Sequence, residues 1–346
     1  MFSTLLCLLL ATPGCYYAHL ASGQLRLLFA KRPTSAVRAD EGTPSELRAK
    51  LDLVEAARGF SADLGLDVGA RYTSYVDWPG DRVVTTVVAT PAGEVEAASF
   101  EFPIVGRAPY KGLFDLERAE RFGDELRERG FDVCLSPVAA YSTLGWFDDP
   151  VTTPMLGRGD EALVETIIHE LVHATLFLES QPEFNESVAR FIAQEGSVQF
   201  AASGRANPER GAASPVDVAH ARRRIEESRM IDDALLRLRM RVSELYASDE
   251  DPARWGDRRA RLEADARVEL AALPLTRHDP ESLAADIRLG DACLALRSTY
   301  TADTGRHAAV LEALGGDLRA FVERLRGAAK HDDPQTAFFE TLAKRP

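Results

Sequence analysis

The pattern of apolar and polar residues predicts strands in the first half of the chain and helices in the second. The segments 83–88 and 95–102 are rich in strand-forming residues and are bounded by Pro-Gly and Ala-Gly turns, as in a small antiparallel sheet. After Gly204 the apolar residues recur at intervals of about 3.5 residues, which is typical of long packed helices. The clearest stripe comprises Ile231, Leu235, Leu238, Val242 and Leu245. We expect the segment 255–273 to return beside this stripe, forming a long helical hairpin.

Helix-end signals divide the first half further. Thr43-Pro-Ser-Glu46 has the form of a capping box and predicts a helix to about Leu64. Asp115 is expected to cap a helix that ends at Gly130, and a further strand should follow directly. These elements predict an α+β fold that is mainly α.

The segment Glu165-Thr-Ile-Ile-His169-Glu170-Leu-Val-His173 contains an H-E-x-x-H pattern within an apolar helix. Because a helix turns once in about 3.6 residues, His169 and His173 lie on one face and can bind one metal ion. Buried imidazoles without partners would be costly, and a metal compensates for that cost. Glu170 would then be the general base of a zinc-dependent hydrolase rather than a ligand.

A catalytic zinc ion needs a third protein ligand. Pro182 cannot lie within a helix interior, and Ser180-x-x-Glu183 has the form of a capping box, so a second helix should start after a short turn and pack antiparallel. Counting from the centre of the turn, Glu186 should face His173. We therefore predict His169, His173 and Glu186 as metal ligands.

Two other glutamates are alternatives for roles at this site. Glu195 is the second choice for third ligand, or else a solvated carboxylate. Glu165 lies one turn before His169 and could orient a histidine, although it could equally be a solvated residue of the first turn. Asp160 is expected to cap the motif helix.

These residues resemble a known family. H-E-L-V-H followed by Phe184-Asn-Glu-Ser-Val-Ala189 is similar to the bacterial "predicted aminopeptidase" lipoproteins, as are the segments 108–115, 138–150 and 315–318. The resemblance runs from about Cys15 to the C-terminus. It implies a glutamate-zincin with a zincin-like core, in which the sheet lies next to the H-E-x-x-H helix and Zn²⁺ is the cofactor. We expect one metallopeptidase domain over residues 15–346, with its core at about 40–205 and a helical part at about 206–346.

The segment 139–150 precedes the motif helix closely. Residues 139–145 could form an edge strand along which a peptide binds. Tyr141 is a candidate donor to the developing oxyanion, or else a buried tyrosine with a satisfied hydroxyl. Asp148 and Asp149 are most simply turn residues, although either could hold the ammonium group of an aminopeptidase substrate.

The N-terminus has features of a lipoprotein signal. An apolar run at 2–12 is too short to span a bilayer and suits a signal peptide over residues 1–14, followed by Cys15 as the lipid-bearing residue. No Lys or Arg precedes this run, and Thr12-Pro13 is unusual before such a cysteine. We expect a periplasm-facing lipoprotein held by the lipid on Cys15. Tyr16 after the cysteine favours the outer membrane.

The net charge and the remaining cysteines and histidines give three further expectations. A net charge of −13 argues against nucleic acid as a partner. Cys134 and Cys293 lie in apolar sequence, so two buried thiols are expected rather than a disulfide. Four other histidines lie in polar sequence and are expected to be exposed, namely His220, His278, His307 and His331.

The sequence therefore predicts a zinc peptidase, with an aminopeptidase as the first choice. Its substrate would be a peptide or protein, hydrolysed by a zinc-activated water with Glu170 as base. An envelope endopeptidase would share the same residues. A non-enzymatic lipoprotein with structural zinc and a partner-binding helical arm is the third possibility, but it would have no use for Glu170.

Overall fold

The computed structural model describes residues 11–102, 106–140, 148–205 and 215–340. The strands are β1 (Arg32–Pro33), β2 (Ser74–Val76), β3 (Val84–Thr90), β4 (Phe100–Phe102), β5 (Gly106–Ala108), β6 (Lys111–Leu113), β7 (Asp132–Val138) and β8 (Val151–Thr152). The helices before the connection at 206–214 are α1 (Ala11–Phe29), α2 (Thr34–Ala39), α3 (Ser45–Asp63), α4 (Leu116–Glu128), α5 (Thr153–Leu156), α6 (Asp160–Thr175) and α7 (Pro182–Ala202). The later helices are α8 (Pro215–Tyr246), α9 (Trp255–Ala271), α10 (Pro280–Asp286), α11 (Asp291–Thr301), α12 (Thr304–Ala313), α13 (Leu318–Ala328) and α14 (Pro334–Phe339), with a 3-10 turn at Pro252–Arg254.

Three small sheets lie in the first half of the chain. The main one has the antiparallel order β6–β3–β7, with Val84 opposite Val138 and Thr90 opposite Asp132. Its central strand, β3, is buried along its whole length because α4 and α11 both pack on the sheet. A second sheet, β1–β2–β8, includes one parallel pairing, between β2 and β8, and β4 pairs with β5. The predicted strand at 95–102 is shorter than expected, since only Phe100–Phe102 is extended and paired.

The main core surrounds the antiparallel helices α6 and α7. Both α6 and α3 contribute apolar faces to it, and α12, α13 and α14 close it on the α7 side. Helix α7 is buried along most of its length because it also contacts α8 and α11. The prediction that two helices follow one another antiparallel after a short turn is confirmed.

The long helical hairpin is also confirmed. Helices α8 and α9 pack together, and Leu235, Leu238 and Val242 of the predicted stripe lie in a separate apolar cluster with Leu270 of α9. Helix makes up 62% of the structure and the sheets are small, so the predicted class, α+β and mainly α, is correct. Within the described residues, no helix combines the length and apolar character that crossing a bilayer requires.

Four helix starts were predicted from capping residues, and the structure confirms one of them. Asp115 accepts a hydrogen bond from the Arg118 N–H at the start of α4, as predicted. The Thr43 hydroxyl instead donates to the Val37 carbonyl, and Ser180 adopts a positive φ in the turn, so neither predicted capping box forms. Asp160 is not the cap of α6 but its first residue, and its carboxylate pairs with Lys50.

Two predictions about buried groups are wrong. Cys134 on β7 and Cys293 on α11 form a disulfide, because α11 packs across the sheet and brings together residues 159 positions apart. His307 is fully buried among aromatic rings of α7, α13 and α14 rather than exposed. Polar neighbours in sequence gave no sign of this, since they lie on the other faces of α12. His220, His278 and His331 are exposed as expected.

Candidate metal centre

The two histidines of the motif occupy one face of α6. Isoleucine and leucine side chains on the other faces are buried in the core and fix the rotation of the helix. The imidazoles of His169 and His173 meet edge to face, with ring centroids 4.6 Å apart. Their Nε2 atoms lie 3.0 Å apart. Both nitrogens thus point to the same place, as the four-residue spacing predicts.

Glu186 reaches the same place from α7. Its Oε2 atom lies 3.2 Å from His169 Nε2 and 3.4 Å from His173 Nε2. The hairpin that aligns the two helices is held by the Asn185 side chain, which accepts from the Leu178 N–H at 2.9 Å and donates to the Leu178 carbonyl at 2.7 Å. The short turn and this bridge set the register that places Glu186 opposite the histidines.

The three side chains could bind a metal ion. One donor atom from each lies within 4.8 Å of the other two, and the group is buried or half-buried. Glu186 Oε2 is close to both imidazoles yet makes no hydrogen bond of acceptable geometry, although it is buried. Three donor atoms gathered around one point are the arrangement expected of a coordination site.

Glu186 and His173 each stabilise the charged form of the other. Burial alone would raise the pKa of Glu186, but the charges of His173 and His169 close to it outweigh burial and hold this pKa far below its usual range. Burial alone would lower the pKa of His173, whereas the Glu186 charge raises it above its usual value. The carboxylate is therefore ionised at neutral pH, as a metal ligand must be.

Tyr110 holds the other oxygen of Glu186. Its hydroxyl donates to Glu186 Oε1 at 3.0 Å. Burial, together with the nearby Glu186 charge, raises the pKa of Tyr110 well above 10.0, so it stays a donor. This partner was missed in the sequence, although it lies in the segment 108–115 that carries part of the family resemblance.

Tyr300 of α11 packs against His169. The two rings stack with centroids 6.2 Å apart. Burial, followed by the charges of Glu186 and Glu170, raises the pKa of Tyr300 well above 10.0. The sequence gave no signal for this residue, because it reaches the site only through packing of α11 on β3, β7 and α7.

Glu170 lies next to the cluster but is not part of it. It is half-buried on α6 and lines the cavities on both sides of the histidines. The group of potential ligands comprises His169, His173 and Glu186 without it. A carboxylate beside the ligands and open to the cavity can exchange protons with a molecule bound there.

The alternatives for these roles lie elsewhere. Glu195 forms ion pairs with Arg222 and Arg229, each at 2.9 Å, and is remote from the three ligand candidates. The carboxylate of Glu165 pairs with Arg224. Asp149 is buried and its carbonyl accepts from the Tyr72 N–H. Tyr141 and residues 141–147 lie outside the described residues, so most of the expected edge strand does too.

Two cavities meet at the cluster and share the side chains of His169, Glu170 and Tyr300. The first, of about 240 Å³, has a largely apolar wall that includes Phe102 and Phe177. The second, of about 350 Å³, lies on the other side, between β7 and the N-terminal half of α6. A chain bound across the cluster could therefore occupy space on both sides of it.

The comparisons with known proteins agree with the family resemblance. The sequence model of the family described as putative aminopeptidase matches residues 15–337. The chain belongs to this family. Neither a curated protein nor a solved structure matches the chain. Membership supports peptidase activity on a peptide or protein. The family description names no metal, so the support for a metal ion comes from the three potential ligands of the site.

Proposed function

We propose that this protein is a zinc-dependent peptidase that hydrolyses peptide bonds with Glu170 as general base, and that it acts as an aminopeptidase. The observation that carries the proposal is the convergence of His169 Nε2, His173 Nε2 and Glu186 Oε2 beside a separate, unliganded glutamate. A purely structural zinc site would normally have four protein ligands and no need for the fifth residue.

The donor set and its spacing support zinc. Two imidazoles and one carboxylate are a common ligand set of catalytic Zn²⁺. With metal–ligand distances of about 2.0–2.2 Å, tetrahedral geometry separates neighbouring donor atoms by about 3.3 Å. That value is the lower end of a range that reaches about 3.6 Å. The observed separations of 3.0, 3.2 and 3.4 Å lie within or slightly below this range, so a small outward movement of the donor atoms would admit the ion.

The residues divide the chemistry among them. Zn²⁺, when bound by His169, His173 and Glu186, supplies a Lewis acid that polarises the peptide carbonyl and acidifies water. Glu170 accepts a proton from the attacking water as its oxygen bonds to the carbonyl carbon. Glu170 then delivers this proton to the leaving amine as the carbon–nitrogen bond breaks. Tyr110 holds Glu186 in place through its hydrogen bond to Oε1.

A phenol hydroxyl would stabilise the oxyanion that develops on the carbonyl. Tyr141 is the candidate from sequence. Tyr300 is the candidate from the fold, because it is protonated, half-buried and stacked on His169. We propose Tyr300 for this role and keep Tyr141 as the alternative.

One observation favours an endopeptidase as the second candidate. An aminopeptidase needs an anion to hold the substrate's ammonium group. Among the described residues, the walls of the first cavity include no carboxylate besides Glu170 and Glu186, and cavities extend on both sides of the cluster. Such a cleft also suits a chain that continues in both directions.

We also propose that the protein is a lipoprotein that faces the periplasm, anchored through Cys15 in the outer membrane. The disulfide between Cys134 and Cys293 supports an oxidising compartment, since such bonds are rare in the cytosol. Mass spectrometry of the intact protein from membranes would test the lipid, which adds a defined mass at Cys15 and is absent after Cys15→Ser.

The deciding experiment measures bound zinc and peptide products together. The soluble form that begins after Cys15 is compared with Glu170→Gln, and Glu195→Gln serves as a control of equal chemistry away from the cluster. We expect one zinc per chain in all three and products in all but Glu170→Gln. Loss of single N-terminal residues would identify an aminopeptidase, and internal cuts an endopeptidase. A wild-type protein without zinc, or with zinc and no products, would contradict the proposal.

A further inference from the structure

Arginine side chains are frequent in the walls of the second cavity and of a third cavity that adjoins it. A third cavity, of about 540 Å³, shares Ser136, Arg158 and Arg190 with the second. The walls of these two cavities include five arginines, namely Arg158, Arg190, Arg224, Arg288 and Arg297. They include three carboxylates, namely Glu165, Glu170 and Asp286. Among the side chains that line these two cavities, arginines therefore outnumber carboxylates by two, in a chain of net charge −13.

Most of these arginines are already engaged. Arg190 and Arg297 both pair with Asp232, at 2.5 and 3.2 Å, so two cations share one carboxylate. Arg224 pairs with Glu161 and Glu165, and Arg288 donates to the Leu135 carbonyl. These contacts fix the four side chains to the protein and offset their charge, since Asp232 and Glu161 bring the number of carboxylates here to five, equal to the number of arginines.

Arg158 differs from the others. Within the described part of the chain its side chain has neither an ion pair nor a hydrogen bond, and the residue is exposed. It lies between α5 and α6, and it lines both the second and the third cavity. A guanidinium group carries five N–H donors in a planar fork that matches a carboxylate. Free, exposed and at the junction of two cavities, this group is suited to bind an anion from outside.

We propose that Arg158 binds a carboxylate of the substrate and so determines which peptides the second cavity accepts. The carboxylate is either the free C-terminus of a short peptide or an acidic side chain. This inference rests on the proposed peptidase function, because the second cavity is taken as the extension of the cleft from Glu170.

The length of α6 limits where that carboxylate lies. Asp160, the first residue of α6, precedes His169 by nine residues, which corresponds to about 14 Å along the helix axis. An extended peptide covers about 3.3 Å per residue, so about four residues span this length. Arg158 would therefore meet a carboxylate within about four residues of the scissile bond. The first cavity, with its apolar wall, would receive an apolar residue on the other side.

The test measures binding with chemistry switched off. Zinc-loaded Glu170→Gln protein is titrated with pentapeptides of one sequence that end either in a free carboxylate or in an amide. A second pair carries Glu or Gln at an internal position. The dissociation constants are compared with those of Glu170→Gln/Arg158→Gln, and with Glu170→Gln/Arg261→Gln, which removes an exposed arginine on α9.

We expect Arg158→Gln to weaken binding of the carboxylate peptides by about 10- to 100-fold, the effect of losing charge-assisted hydrogen bonds, and to leave the amide peptides unchanged. Arg261→Gln should change neither. The pair that responds identifies the source of the carboxylate. Arg158→Glu should then favour peptides with a lysine in the same position.

Three results would overturn the inference. They are equal binding of carboxylate and amide peptides, an equal loss of affinity for both in Arg158→Gln, and no binding of any peptide. Cleavage by the wild type is measured separately. A preference for carboxylate peptides without cleavage would therefore reject the proposed peptidase activity and support the carboxylate site at Arg158. Cleavage without such a preference would support the peptidase activity and reject the carboxylate site.

Discussion

Each oxygen of Glu186 has a different partner, and this division explains how the cluster stays ordered. Oε2 lies against the two imidazoles, while Oε1 accepts the Tyr110 hydroxyl. A carboxylate held at one oxygen cannot rotate its other oxygen away from the ligand position without losing a buried hydrogen bond. Tyr110 is thus a positioning residue that acts on the candidate metal site through Glu186.

Tyr110→Phe tests this role. The change removes the hydroxyl and leaves the ring, so Glu186 loses its orientation but the packing stays. We expect zinc affinity to fall by about 10- to 100-fold, as is usual when the partner of a metal ligand is removed. Competition with a chromophoric chelator measures it. Tyr246→Phe, which removes a half-buried hydroxyl bonded to Asp291, is the matched control and should leave zinc affinity unchanged. Equal affinity in Tyr110→Phe and wild type would rule the role out.

Tyr300 gives a second prediction at the same scale. If its hydroxyl stabilises the oxyanion, Tyr300→Phe should lower kcat by about 10²- to 10³-fold, with zinc content and KM little changed. The stacked ring that covers His169 is kept in this variant. Steady-state kinetics on the best library peptide measure the effect. A large effect in Tyr141→Phe and none in Tyr300→Phe would assign the donor to the tyrosine proposed from sequence.

Helix α11 links the stability of the fold to the site. Cys293 anchors it to β7, and Tyr300 lies seven residues further along the same helix, about two turns away and so on nearly the same face. The disulfide therefore holds in place the helix that covers His169. Its closed loop spans 159 residues, which is long enough for a large entropic effect on the unfolded chain.

Reduction of this bond, or the double change Cys134→Ala and Cys293→Ala, should lower the free energy of unfolding by about 2–5 kcal/mol. Unfolding in urea, followed by circular dichroism, measures the loss. Reductant should destabilise the wild type and leave the double variant unaffected. An equal response of both proteins to reductant would mean that the bond does not stabilise the fold.

Local rules account for what the sequence predicted, and distant contacts account for what it missed. Helix periodicity and a short turn were enough to set His169, His173 and Glu186 face to face. Tyr110 lies 76 residues from Glu186, and the disulfide joins residues 159 apart, so both depend on how helices pack on the sheet. The predicted cap at Asp160 failed for a related reason, because its carboxylate pairs with Lys50, 110 residues away in the chain. The capping box at Thr43 failed locally, since its hydroxyl donates to the Val37 carbonyl six residues before it.

On the scale of the whole molecule, α12, α13 and α14 close the core over α7, and His307 lies within that closure. The imidazole is surrounded by Phe184, Phe191, Phe321, Phe338 and Phe339. Neither ring nitrogen has a hydrogen-bond partner among the described residues. Burial lowers the pKa of His307 from 6.5 to about 4, with Asp303 acting against this shift and Arg306 with it.

This lowered pKa predicts how stability depends on pH. Below about pH 6.5 the unfolded chain binds a proton at His307 that the folded protein does not bind until about pH 4. The contribution is therefore complete above pH 6.5 and is lost as the pH falls towards 4, by about 3 kcal/mol at about 1.4 kcal/mol per pH unit. His307→Leu removes the titrating group and keeps an apolar side chain. Urea unfolding of both proteins between pH 7.5 and 4 measures the difference between them, in which the carboxylates and the other histidines cancel. The stability of the wild type relative to His307→Leu should fall by about that amount over this range. A difference that stays constant with pH would mean that the C-terminal helices close the core without excluding a charged His307.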